Sequence, residues 1–135
     1  MASIRKEILI ESRPEDVWDA VRDFGAVHQR LVPGFVVDVR LEGDARIVTF
    51  ANGTVARELL VDIDEKTRRL VYAIVQGRPT HYNGAVQVFA EDGGHSRLVW
   101  IVDLLPNELA GPIGSMMEQG AAVMKDTLEG RIPRR

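Results

Sequence analysis

The sequence contains no cysteine, so it can form neither a disulfide nor a thiolate-bound metal site. Aromatic residues make up only 6% of the chain, and basic residues cluster only at its end, in Arg131, Arg134 and Arg135. With a net charge of −3 the chain lacks the basic surface that nucleic-acid binding needs, so we predict no nucleic-acid partner. Because a chain without cysteine suits a reducing compartment, we expect a cytoplasmic protein.

Long hydrophobic runs are also missing. The first ten residues include the charged stretch 5–7, which is typical of neither a signal peptide nor a membrane span. The three histidines, His28, His81 and His95, do not have the spacing of a metal-binding motif, and we predict neither a metal nor a cofactor. Phosphate-binding loops, nucleophile elbows and paired-carboxylate motifs are absent from the sequence. Nothing in it therefore demands catalysis.

The 135 residues are 45% apolar and 27% charged, which is enough for one domain with a buried core, predicted over residues 1–135. Alternating apolar and polar residues predict a first strand at 4–11. Two short helices should follow, the first capped by Ser12 and opened by Pro14. Six further strands are predicted at 35–42, 46–51, 55–63, 70–76, 82–90 and 97–105. Because short turns join these six strands, we expect them to pair antiparallel.

The stretch 107–130 has apolar residues at the spacing of one helix face, which predicts a long helix capped by Asn107. This helix is the only element that can cover the sheet. The predicted class is therefore α+β, a curved antiparallel sheet of about seven strands wrapped around a long C-terminal helix. The helix is rich in glycine and methionine. These residues either leave space for a ligand or allow close backbone packing, and both interpretations stay open.

Several motifs resemble the SRPBCC or START-like superfamily: PEDVW and RDFG near the start, the strand RELLVDID, Tyr82 after a proline turn, and RLVWIVDLLP before the last helix. Within the superfamily, the chain is most similar to the polyketide cyclase/dehydrase and lipid-transport group, over nearly all of its length. The resemblance implies a helix-grip fold with a deep apolar cavity between sheet and helix. It also implies two entrance loops, at 51–54 and 76–81. The entrance residues would be Asn52, Gly53, Arg78, Pro79 and His81.

The resemblance also implies roles for individual residues. In the related plant abscisic-acid receptors a Glu and a Tyr line the pocket, and Glu58 and Tyr82 stand at the matching positions. A lysine that holds a ligand carboxylate in those receptors has an apolar counterpart here, Val37, which argues against carboxylate binding in the same manner. A buried Glu58 would be a candidate acid, base or hydrogen-bond acceptor. The alternative is a strand glutamate that is exposed or paired with an arginine.

Strand parity and the resemblance together predict a set of cavity-lining residues on the sheet and the long helix. They are Phe35, Val37, Val39, Val48, Phe50, Glu58, Tyr72, Ile74, Tyr82, Trp100, Met116, Met117 and Gly120. For Tyr82 and Trp100, plain core packing is the alternative. We therefore expect the cavity to bind a small hydrophobic molecule that is polyketide-, lipid- or steroid-like. The alternative function is a polyketide cyclase or dehydratase with Glu58 and Tyr82 as acid/base groups.

The opposite face of the predicted sheet also carries apolar residues. They are Leu59, Val61, Val71, Ala73, Val75, Phe89, Val99 and Ile101. If they are contiguous, the patch is larger than a monomer usually exposes, which predicts a homodimer through the outer face. The alternative is that the parity of one strand is assigned wrongly.

Overall fold

The computed structural model describes residues 1–130 of the chain, so Arg131, Arg134, Arg135 and the end of the predicted domain lie outside the described residues. Alternation of apolar and polar residues produces the strands, which are joined mostly by short turns. The elements in order are β1 (Ala2–Ile10), α1 (Pro14–Val21), α2 (Val27–Arg30), β2 (Val36–Glu42), β3 (Ala45–Phe50), β4 (Val55–Asp64), β5 (Arg69–Gln76), β6 (His81–Glu91), β7 (His95–Leu105) and α3 (Ala110–Leu128).

The seven strands form one antiparallel sheet in the order β1-β7-β6-β5-β4-β3-β2. Strands β2 to β7 pair with their neighbours in the chain, whereas β1 pairs with β7 and so lies at the opposite edge from β2. Helix α1 packs against β6 and β7, and α3 packs against β1. The α+β class, the seven strands and the covering C-terminal helix are as predicted. None of the described helices has the length and apolar character needed to cross a membrane.

Both predicted helix caps are wrong. Arg13, not Ser12, precedes α1, and the hydroxyl of Ser12 donates to the carbonyl oxygen of Leu128 at 2.6 Å. Asn107 begins a short 3-10 turn, Asn107–Leu109, and α3 starts only at Ala110. Pro112 therefore lies in the first turn of α3, where its missing N–H is tolerated, and it does not break the helix.

A β-bulge in β2 overturns the prediction that Val37 is a wall residue of the cavity. Val36 pairs with Phe50 and Asp38 with Thr49, so Val37 is left over between the two pairs. An extra residue reverses the alternation of faces at that point. As a result Val36 is buried, at 4% exposure, while Val37 points outward and is 53% exposed.

The apolar residues on the outer face of the sheet are only partly exposed to solvent. Val61 and Val75 are 56% and 51% exposed, but Val71 and Val99 are buried. The remaining residues of the predicted patch are half-buried: Leu59, Ala73, Phe89 and Ile101. The Arg97 guanidinium covers the Phe89 ring at 4.6 Å. Polar side chains of the sheet thus shield part of its apolar outer surface.

Candidate functional site

A cavity of about 400 Å³ lies between the inner face of the sheet and helix α3. It is as large as ordinary small-molecule sites, which span roughly 300–1,000 Å³. Ten of the predicted residues line it: Phe35, Val48, Phe50, Glu58, Tyr72, Ile74, Tyr82, Trp100, Met116 and Met117. Leu70, which strand parity also predicts for the apolar wall, lines the cavity as well. Further apolar wall residues are Val21, Val27, Leu31, Val32, Val36, Val86, Leu109, Ile113 and Met124.

Three of the predicted residues do not line the cavity. Val37 is on the outside, and Val39 is half-buried against the core. Gly120 is buried, but a Cβ atom there would lie 3.3 Å from the Phe35 ring and 3.4 Å from the Trp100 ring. At this position the missing side chain serves close packing rather than ligand space.

Of the predicted entrance residues, Asn52, Arg78 and Pro79 belong to the cavity wall, and the same two loops add Thr54, Gln76 and Gly77. Asn52 and Arg78 are exposed, so this end of the cavity lies at the protein surface. Gly53 and His81 are not part of the wall. His81 instead begins β6, where it pairs with Leu105, and it is exposed.

An ion pair lies inside the cavity wall. Arg46 and Glu58 face each other across β3 and β4, are 7% and 6% exposed, and join through Nε and Oε1 at 2.8 Å. Arg46 Nη1 also donates to the carbonyl oxygen of Phe24 at 2.9 Å, and the guanidinium lies 4.0 Å from the Phe24 ring centre. Burying two charges is costly unless each compensates the other, and this geometry provides that compensation.

Glu58 combines two states that the sequence leaves open as alternatives. Its side chain is both inward-facing and paired with an arginine. Arg46 is not among the predicted wall residues, although it shares strand parity with Val48 and Phe50, which are. Because charged residues are rarely buried, strand parity alone does not predict an inward-facing arginine.

Three aromatic side chains form a hydrogen-bonded chain in the same wall. Trp100 Nε1 donates to the Tyr72 hydroxyl at 3.1 Å, and the hydroxyls of Tyr72 and Tyr82 are 3.5 Å apart. The polar atom of Trp100 thus has a protein partner. Among residues 1–130, no group of three or more His, Asp or Glu side chains is placed to hold a metal ion. The buried polar chemistry of this cavity is that of Arg46, Glu58, the two tyrosines and Trp100, whereas Asn52 and Arg78 lie at its exposed mouth.

A family model described as polyketide cyclase / dehydrase and lipid transport matches residues 1–130. The chain belongs to this family. The family assignment confirms the resemblance to SRPBCC or START-like proteins that the sequence motifs indicated. A search of curated proteins found no match.

Solved structures share the helix-grip fold over nearly the whole chain. A Thermobifida fusca protein is 30% identical, with a TM-score of 0.79 over 97% of this chain and 93% of that one. A START superfamily protein from Mycobacterium smegmatis is 12% identical, with a TM-score of 0.73 over 96% of each chain. Norcoclaurine synthase from Thalictrum flavum is 18% identical, with a TM-score of 0.74 over 95% of this chain and 91% of that one. At such identities, the last two show the fold alone.

The two tyrosines of this family member should resist ionisation while the protein is folded. Burial, followed by the Glu58 carboxylate, raises the pKa of Tyr72 to about 12. Burial, followed by the neighbouring Tyr72, raises the pKa of Tyr82 well above its usual value of 10.0. Folding therefore favours the protonated tyrosines. Their stabilising contribution is complete below pH 10, the unfolded pKa, and is lost as the pH rises through the folded values.

Absorbance by tyrosinate measures this effect cleanly, because Tyr72 and Tyr82 are the only tyrosines in the chain. In an alkaline titration the tyrosinate signal should rise only together with the loss of far-UV circular dichroism. The same protein in concentrated urea provides the control, in which both tyrosines should titrate near the ordinary pKa of about 10. Tyrosinate that forms near pH 10 in the absence of urea, while the far-UV circular dichroism is unchanged, would contradict the expectation.

Proposed function

We propose that the protein binds a small hydrophobic molecule, polyketide-, lipid- or steroid-like, in the internal cavity. The observation that carries the proposal is an interior space of about 400 Å³ with mostly apolar walls and a few polar groups. This combination is typical of ligand sites, in which apolar burial provides affinity and a few polar groups fix orientation. Membership in a family described by polyketide and lipid chemistry supports the same conclusion.

Apolar burial is the main source of the expected affinity. A ligand that buries about 300 Å² of apolar surface gains roughly 7 kcal/mol at ~25 cal/mol per Å², before ordering costs are subtracted. Tyr82 and Glu58 then orient the guest. Glu58 is suited to this because its second oxygen, Oε2, accepts no hydrogen bond from residues 1–130.

Filling the cavity tests this function. Ala56 is buried in the wall, and an Ala56→Leu substitution places extra carbon atoms where the ligand would lie. In a Trp18→Phe background Trp100 is the only tryptophan, so its fluorescence reports binding in the cavity. We expect Ala56→Leu to weaken binding of a naphthalene probe at least about tenfold, which corresponds to 1.4 kcal/mol.

The matched control is Ala90→Leu, which adds the same atoms at an exposed position of β6 and should leave affinity unchanged. Native mass spectrometry of freshly purified protein should also detect a co-purifying small molecule. Equal probe affinity for Ala56→Leu and the parent protein would contradict binding in this cavity.

A polyketide cyclase or dehydratase is the second candidate function. The observation in its favour is that Glu58 and Tyr82 both belong to the cavity wall. The Tyr82 hydroxyl is protonated at neutral pH and can donate a hydrogen bond to a substrate oxygen, although its raised pKa makes it a weaker acid than an exposed tyrosine. Norcoclaurine synthase, a named enzyme, has the same fold. This function requires Glu58 to exchange a proton, whereas simple binding does not.

We further propose that the protein acts in the cytoplasm and without a nucleic-acid partner, which the absence of cysteine and the net charge of −3 support. Homodimer formation through the outer sheet face also stays a proposal. Its support is the exposure of Val61 and Val75, and the burial of Val71 and Val99 reduces the apolar area such a dimer could cover.

A further inference from the structure

We infer that the cavity selects an uncharged ligand with a hydrogen-bond acceptor, such as a ketone, at its buried end, and that the Arg46–Glu58 pair discriminates against carboxylates. The inference rests on the proposed function, because it needs a ligand in the cavity. It adds the chemical class of the ligand and names the pair that selects it.

The charges of the wall support the exclusion of anions. Arg46 and Glu58 are its buried charged residues, and their charges cancel. The third charged wall residue, Arg78, is exposed at the mouth. A carboxylate that approached Arg46 would come close to the Glu58 carboxylate, in surroundings where like charges repel far more strongly than in water. It would also lose its hydration on entering the apolar cavity.

The hydrogen-bond donors support the selection of a neutral acceptor. Arg46 uses Nε for Glu58 and Nη1 for the Phe24 carbonyl, while Nη2 donates to no residue in the range 1–130. The rings of Phe24 and Tyr72 lie 4.0 Å and 5.5 Å from the guanidinium carbon and hold it in place. A ketone oxygen can accept from Nη2 without repulsion by Glu58. An apolar group at the same place leaves the donor unpaired.

A matched set of three probes tests the selection. The probes are 2-acetylnaphthalene, 2-naphthoate and 2-isopropylnaphthalene, which have similar shapes and differ in their polar group: a ketone, an anion and a hydrocarbon. Binding is measured at neutral pH by the fluorescence of Trp100 in the Trp18→Phe protein. We expect the ketone to bind most tightly and naphthoate at least about tenfold more weakly than the ketone.

A charge variant tests the role of the pair. Glu58→Gln leaves the Arg46 charge uncompensated, so the affinity ratio of naphthoate to ketone should rise at least about tenfold. The control is Glu42→Gln, which makes the same charge change in a glutamate paired with Arg57 outside the cavity, and it should leave the ratio unchanged.

The outcomes separate the inference from the proposed function. Failure of all three probes to bind, the hydrocarbon included, would overturn the proposed function. Hydrocarbon binding with naphthoate as tight as the ketone would leave that function standing and overturn the inference. An unchanged ratio in folded Glu58→Gln would also overturn it. If circular dichroism shows that this variant does not fold, the comparison of the three probes on the Trp18→Phe protein decides.

Discussion

Replacing Arg46 by Met should lower the free energy of unfolding by about 3–5 kcal/mol, because it leaves a buried carboxylate without its counter-charge. The Glu58 side chain is 8% exposed and has Arg46 as its ion-pair partner. Met keeps much of the apolar volume of the arginine, so the expected loss comes from charge rather than from packing. The guanidinium also donates to Phe24, and that carbonyl loses a hydrogen bond in the variant.

Urea denaturation measures this loss, and the same sheet provides the control. Arg57 and Glu42 form an ion pair at 2.7 Å with both side chains at least one-third exposed, and such surface pairs contribute at most about 1 kcal/mol. Arg57→Met should therefore be nearly neutral. Adding Glu58→Gln to Arg46→Met should recover a large part of the loss, since the unpaired charge is gone. Equal losses for Arg46→Met and Arg57→Met would show that the inner pair is effectively solvated.

Gly84→Ala is expected to have the second largest effect. Gly84 lies directly opposite Tyr72 in the pairing of β5 and β6, and the Tyr72 ring covers it. A Cβ atom at this position would lie 2.4 Å from Cζ of Tyr72, which is inside any permitted contact distance. The ring must therefore move away, at a cost of about 1–3 kcal/mol for overpacking. Its hydroxyl then leaves Trp100 and Tyr82.

Stability by urea denaturation and Trp100 fluorescence together test this expectation. The displaced ring should both destabilise the protein and change the Trp100 emission, because Trp100 Nε1 loses its acceptor. Gly114→Ala is the control. Its Cβ would meet Ile4 at an ordinary 3.9 Å, and in a helix alanine should stabilise by up to about 1 kcal/mol. A Gly84→Ala protein with wild-type stability and emission would rule out the described position of Tyr72.

The fold was predictable from the sequence because its determinants are local. The alternating pattern predicts the strands, and the apolar stripe predicts the last helix. The structure contains these elements with boundaries that differ from the predicted ones by a few residues. The outward position of Val37 was not predictable in this way, because a single extra residue in β2 reverses the faces without any composition signal.

The polar part of the site was less predictable, because it is formed by residues that are distant in sequence. Glu58 was located by resemblance, but its partner Arg46 is recognisable only once β3 and β4 are in register. Likewise, the role of Gly120 follows from Phe35, 85 positions earlier in the chain, and from Trp100 on β7. Helical periodicity alone cannot distinguish a glycine that borders a cavity from one that receives an aromatic ring.

The pairing of β1 with β7 has a consequence for how the chain folds. Ile4 pairs with Val102, so β1 gains its strand partner only after β7 has been synthesised. Pairings between distant parts of a chain slow folding and prolong the exposure of unpaired strand edges. Helix α3, which packs on β1, arrives later still. The cavity can thus be enclosed only after both β7 and α3 have been synthesised.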